Sequence, residues 1–93
     1  MSRRRPSSDG GSARVLLFAT ARTAVGRPEL EWPLPLGGTT TQAVGRELGA
    51  RYPALVAILR HSRLFLNGQP VRAGPARVRD GDELAIHPPY GGG

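Results

Sequence analysis

Apolar residues along this chain recur with two different periods, and the change of period divides it into elements. Arg14-Val15-Leu16-Leu17-Phe18-Ala19-Thr20 is almost continuously apolar, the pattern of a strand covered on both faces or central in a sheet. After a loop from Ala21 to Arg27, Leu30, Trp32 and Leu34 alternate with Glu29, Glu31 and Pro33, the period of two expected of a half-buried strand. A hairpin joins these two strands naturally, and the prolines place the second at an edge. Thr39-Thr40-Thr41 offers hydroxyls for a helix N-cap, and Val44 and Leu48 then carry a helical repeat to about Tyr52. Gly45 and Gly49 each cost roughly 1 kcal/mol against Ala inside that helix and suggest close backbone packing on a sheet. Leu55, Val56, Ile58 and Leu59 predict a second, short helix after Pro53.

Arg63 to Val71 reads as strand, turn, strand about Asn67-Gly68, because both turn residues tolerate positive φ. Asp80-Gly81-Asp82 makes another tight turn, and Glu83-Leu84-Ala85-Ile86-His87 alternates as the last strand. Strands at both ends and helices in the middle predict an α+β domain, with helices on one face of a mixed sheet. In the simplest arrangement the first and last strands pair in parallel at its centre. Phe18 is expected in the core, and His87 as a structural residue of the last strand.

The chain has 93 residues, 39% of them hydrophobic and few aromatic, enough for one domain with a mainly aliphatic core. Residues 1–12 are polar, charged and rich in Ser and Gly, and read as a disordered leader before a domain over 13–89. No run approaches the roughly 18 apolar residues of a membrane span, and no apolar segment follows Arg3-Arg4-Arg5, so a cytoplasmic protein is expected. With no cysteine there are no disulfides or thiolate metal sites, and His61 and His87 alone do not make a zinc site. All thirteen basic residues are Arg; with no Lys, the chain offers no internal side chain for isopeptide linkage to itself. A formal charge of +6 permits an anionic partner without requiring one.

The ending carries the candidate chemistry. Pro88-Pro89 cannot continue a ladder of backbone hydrogen bonds, and Tyr90-Gly91-Gly92-Gly93 forms a pliable tail whose three glycines have nothing to pack. Its useful group is the carboxylate of Gly93. Four extended residues reach about 13 Å beyond Pro89.

Phe18-Ala19-Thr20-Ala21-Arg22, Arg51-Tyr52-Pro53-Ala54-Leu55, Leu66-Asn67-Gly68 and Asp80-Gly81-Asp82-Glu83, with the Pro-Pro-x-x-Gly-Gly ending, resemble the MoaD/ThiS family of ubiquitin-like sulfur carriers. The molybdopterin synthase branch is the nearest, and the resemblance runs from Arg14 to Gly93. It implies a β-grasp fold with one main helix and a short second one, and a carrier rather than an enzyme. It further implies that a ubiquitin-activating-type adenylyltransferase uses ATP to adenylate Gly93. A sulfur donor of the rhodanese or cysteine desulfurase type then supplies the sulfur of a thiocarboxylate, which the large synthase subunit consumes in making molybdopterin. Gly91 and Gly92, with Tyr90, thread the partner's channel, Pro89 and Pro88 set the exit, and no cofactor is held permanently. Asp82 and Glu83 are candidate partner contacts through an acidic edge, although carboxylates at a tight turn also serve backbone N–H groups.

Other readings stay open. Related carriers serve thiazole, cysteine, tRNA thiolation or specialised metabolites, and ubiquitin-like modifiers share the same activation. From another class, Leu64 to Val71 with Arg79 to Leu84 is similar to the second half of the RNA-binding domain of ribosomal protein S-four. That reading leaves the triglycine ending without a role.

Overall fold

Two segments from opposite ends of the chain form the middle of the sheet. In the computed structural model, which describes residues 10–71 and 76–89, strand β1 (Ser12–Leu17) runs parallel to β7 (Glu83–His87), with Val15 beside Leu84 and Leu17 beside Ile86. β2 (Glu29–Pro33) pairs antiparallel with β1 at one edge. On the other side β4 (Arg63–Leu66) pairs antiparallel with β7, and β5 (Gln69–Pro70) closes the far edge, giving the order β2-β1-β7-β4-β5. The central parallel pair and the proline-marked edge strand agree with the sequence pattern.

One face of this sheet is covered by helices. Val15, Leu17, Leu84 and Ile86 point into the core, where they meet Val44 and Leu48 of α2 (Thr41–Arg51) and Leu55 of α3 (Leu55–His61). Trp32 closes the edge of that core. Its Nε1 donates to Glu47 Oε1 at 3.2 Å, and the Arg51 guanidinium lies 5.4 Å from the ring centroid. Burial of such a ring is admissible because its one polar atom keeps a partner. Among the described residues no helix is long and apolar enough to cross a membrane.

Three features depart from the sequence expectations. A helix, α1 (Ala19–Val25), occupies the place where a loop was expected, so the domain has a third helix. It is short, buries Ala21 and ends on Gly26 at φ 88°, the left-handed conformation that terminates helices cheaply only at glycine. Seven residues with one fully buried position give too weak a periodicity to read. Second, Thr39–Thr40 (β3) pairs with Arg77–Val78 (β6) in a separate two-stranded ribbon. Thr40 does cap α2, its Oγ1 accepting from Ala43 N at 3.1 Å, while buried Thr41 exchanges hydrogen bonds with the Ala76 backbone. Third, Gly10–Ser12 are tied to the sheet rather than belonging to a leader over 1–12. Gly10 N donates to Leu34 O at 3.1 Å, Ser12 N donates to Asp80 Oδ1 at 2.9 Å, and β1 begins at Ser12. Residues 1–9 lie outside the described residues.

The turn at Asn67-Gly68 has both residues at positive φ, 52° and 82°, as the Asn-Gly pair requires. Asn67 also bonds the hairpin to the start of β7. Its Nδ2 donates to Asp82 Oδ1 at 3.0 Å, and its Oδ1 accepts from Glu83 N at 2.9 Å. Asn67→Ala removes both bonds and a residue suited to the left-handed region, so a loss of about 2–3 kcal/mol is expected in urea unfolding.

The two helix glycines serve different ends from the close sheet packing expected of them. A Cβ on Gly49 would come within 3.1 Å of Val56 Cγ2 of α3, so that glycine permits helix–helix contact. A Cβ on Gly45 would meet nothing within 4 Å. Gly45→Ala is therefore expected to stabilise the domain by about 1 kcal/mol, a rise in Tm of about 4–8 °C in thermal unfolding.

Candidate functional site

Among the described residues no helix lies over the other face of the sheet. Alternation puts Leu16, Phe65, Ala85 and His87 there, and Phe18 follows where β1 ends. They line an open groove of about 850 Å³ that ends at Pro88 and Pro89. Phe18 is 41% exposed, not in the core as expected, because the buried register of β1 is Ala13, Val15 and Leu17. The near-continuous apolar run of β1 therefore reflects one face covered by this chain and one left open.

His87 joins the two phenylalanines. Its ring stacks on Phe18 at a centroid distance of 4.3 Å and meets Phe65 edge-on at 5.1 Å. Backbone bonds fix the strand beneath them: Phe18 N donates to Ile86 O at 3.3 Å, and Arg63 pairs with His87 across β4 and β7. The three rings thus gather at the end of β7, where Pro88 follows His87. The sequence alone puts Phe18 in the core, leaves Phe65 between core and docking face, and makes His87 a structural residue on an exposed strand face; the structure brings the three together at the groove. The strict alternation of the last strand, which buries Leu84 and Ile86, was the signal that put Ala85 and His87 on the opposite face.

The structure places the remaining candidates as follows. Pro88 and Pro89 follow β7 directly and border the groove. Tyr90, Gly91, Gly92 and Gly93 lie outside the described residues. Asp82 stands at the opposite end of β7 from the exit, and its carboxylate is engaged within the chain, accepting from Arg79 N at 2.8 Å and from Asn67 Nδ2. Glu83 lies 3.6 Å from Arg14, which also approaches Glu29 at 3.9 Å. These are exposed pairs, worth little to stability. Of the two acidic candidates, Glu83 alone lines the groove. Among the described residues no group of three or more His, Asp or Glu could hold a metal ion.

A mixed sheet with parallel first and last strands, a helix packed across one face and a chain leaving beside an uncovered aromatic surface defines the ubiquitin-like β-grasp class. The profile of the ThiS family matches residues 15–93, and the chain belongs to that family. It is 40% identical over 80 residues to the molybdopterin synthase sulfur carrier subunit of Arabidopsis thaliana, covering 86% of this chain and 81% of that one. The protein of the same name from Dictyostelium discoideum is 32% identical over 81 residues, covering 86% and 94%. Among solved structures, the small archaeal modifier protein 1 of Methanosarcina acetivorans superposes with a TM-score of 0.73 at 29% identity, covering 89% of this chain and 97% of that one. The family match spans the segments that also resemble an RNA-binding domain.

Proposed function

We propose that this protein is the sulfur-carrying small subunit of a molybdopterin synthase, with the carboxylate of Gly93 as the site of activation. An adenylyltransferase joins that carboxylate to the α-phosphate of ATP, with release of pyrophosphate. The terminal sulfur of a persulfide on a rhodanese- or desulfurase-type donor then displaces AMP to form an acyl disulfide, and a second thiol cleaves its S–S bond, forming a disulfide with the donor cysteine and releasing the thiocarboxylate. The large synthase subunit takes up the tail and consumes the sulfur in making molybdopterin. The chain itself catalyses nothing; it presents an acyl group and docks.

The observation that carries this reading is the uncovered aromatic groove at the root of the tail, in a chain whose family match runs to Gly93. An apolar surface rimmed by polar residues is the usual mark of a protein contact. Phe18, Phe65 and Leu16 suit the central anchors of such a contact, with Arg63 and Glu83 at its rim. Glycines suit a segment that must enter a narrow channel, because no side chain projects from them. The relatives named molybdopterin synthase sulfur carrier subunit support molybdopterin over another acceptor.

Incubation with ATP, an activating enzyme of the family and a sulfur source should raise the intact mass by about 16 Da, the replacement of one oxygen by sulfur. An unchanged mass with an enzyme that activates its own carrier would sink the proposal. The likeness to a small archaeal modifier favours a second reading, in which Gly93 is joined to lysines of other proteins. Tryptic peptides carrying a Gly93 isopeptide on a target lysine would establish it. Their absence from cells lacking deconjugating activity would remove it.

A further inference from the structure

A second concave surface lies on the helical side of the domain, between α2, α3 and β4. Gly45 and Gly49 form one wall, Val56 and Leu59 the other, and Leu64 closes the end. Its volume is about 610 Å³, and Val56 is 49% exposed there. Leu64 and Phe65 are neighbours on β4 and point to opposite faces, so this groove and the tail-exit groove are back to back across the sheet.

The charge around it has one sign. Arg46 and Arg60 stand on the rim, and no carboxylate lines it. Glu47, the acidic residue of α2, is turned to Trp32 on another face. Among the described residues the ion pairs belong to Arg14, leaving Arg46 and Arg60 without a carboxylate partner. The wall at Gly45 is left bare for no reason internal to the fold, since a Cβ there meets nothing within 4 Å. An apolar trough between two guanidinium groups is complementary to apolar side chains flanked by carboxylates.

We propose that this groove docks a segment of a protein partner whose apolar side chains are flanked by Asp or Glu. A second copy of this chain fits poorly: Glu29, Glu31 and Asp80 sit among Ser12, Arg14 and Gly81, Glu47 is bonded to Trp32, and Glu83, the carboxylate beside Phe65 and Ala85, is paired with Arg14. Nucleic acid does not fit either: two cations across an apolar hollow do not track a row of phosphates. A partner held here leaves the tail-exit groove open, so the carrier can be retained by one protein while a second works on its tail.

The test is an amide-shift titration of the full ¹⁵N-labelled chain. The probe is an amphipathic peptide about 15 residues long, with leucines along one face and glutamates beside them. A matched peptide carries lysines instead. The glutamate peptide is expected to shift the amides of Gly45, Gly49, Val56 and Leu59, leaving Leu16, Phe18 and Phe65 unmoved. The lysine peptide is expected to bind at least about tenfold more weakly, and the double variant Arg46→Glu/Arg60→Glu to invert that preference. Gly45→Leu fills the trough and is expected to abolish binding. Should that variant fail to fold, the charge reversal decides, since both arginines are exposed. Equal binding of the two peptides, shifts gathered at Phe18 and Phe65, no shift at about millimolar peptide, or tighter binding of oligouridylate to the same amides would each overturn the proposal.

Discussion

Deletion of Gly93 leaves a folded domain that accepts no AMP. The deletion moves the terminal carboxylate back by about 3.5 Å along an extended chain. Reacting atoms must lie about 3–3.5 Å apart in line, and a misplacement of about 1 Å already costs on the order of a hundredfold in rate. A full residue is therefore expected to bring adenylation below detection, and one added residue to do the same. The fold has little stake in the change, since the last buried residue among those described is Ile86 and β7 ends at His87. ATP–pyrophosphate exchange with the activating enzyme measures the loss, and circular dichroism checks the fold. Exchange at the unaltered rate in the Gly93 deletion would falsify the assignment of the acyl group.

Phe18→Asp and Phe65→Asp are expected to abolish docking while the tail stays intact. Each replaces an aromatic anchor in a concave surface by a charge, and hot-spot residues of that kind contribute about 2–4 kcal/mol, some 30- to 1,000-fold in affinity. Phe18 is the cleaner variant. It is 41% exposed, its hydrogen bond to β7 comes from the backbone, and its ring contributes only the stacking on His87, so thermal unfolding should shift by only a few degrees. His87→Ala removes the ring stacked on Phe18 and should cost less, because an aromatic pair contributes about 0.5–1.5 kcal/mol. Leu36→Asp is the control. Leu36 is the most exposed large hydrophobic among the described residues and lies outside the groove, so its loss should leave affinity for the large subunit unchanged. Calorimetric titration that found Phe18→Asp and Leu36→Asp equally harmless would place the contact elsewhere.

The sheet was legible because its signals are local and strong. Leu30, Trp32 and Leu34 alternate strictly, Asn67-Gly68 admits few turns, and Val44 and Leu48 have helical spacing. α1 was not legible, since Ala19 to Val25 buries a single alanine and owes its end to Gly26 rather than to a periodic stripe. The β3–β6 ribbon was hidden for a different reason: two-residue strands are specified by what they meet, here Thr41 with Ala76, and not by their own pattern. Phe18 was misplaced because hydrophobicity does not state which face a residue occupies. Only the register of β1 against β7 assigns it to the open face. The tail, by contrast, stood out in the residues alone, because Pro-Pro shortly before three glycines has no packing explanation, whereas the chemistry proposed at Gly93 came with the family resemblance. Asp82 shows the limit of that approach: a carboxylate close to the tail in sequence stands at the far end of β7 and serves Asn67 and Arg79.

The union of β1 with β7 has a consequence for the order in which the molecule comes into being. Ser12 and Asp80, bonded at the edge of that union, are 68 positions apart. Loops of this length close late, after local helices and hairpins have formed. The aromatic groove draws on β1, β4 and β7, so it does not exist until the last strand is seated between the other two. A chain broken off during synthesis before β7 therefore displays no docking surface. On the docking proposed above, a partner that binds this groove engages only a carrier whose last strand is seated.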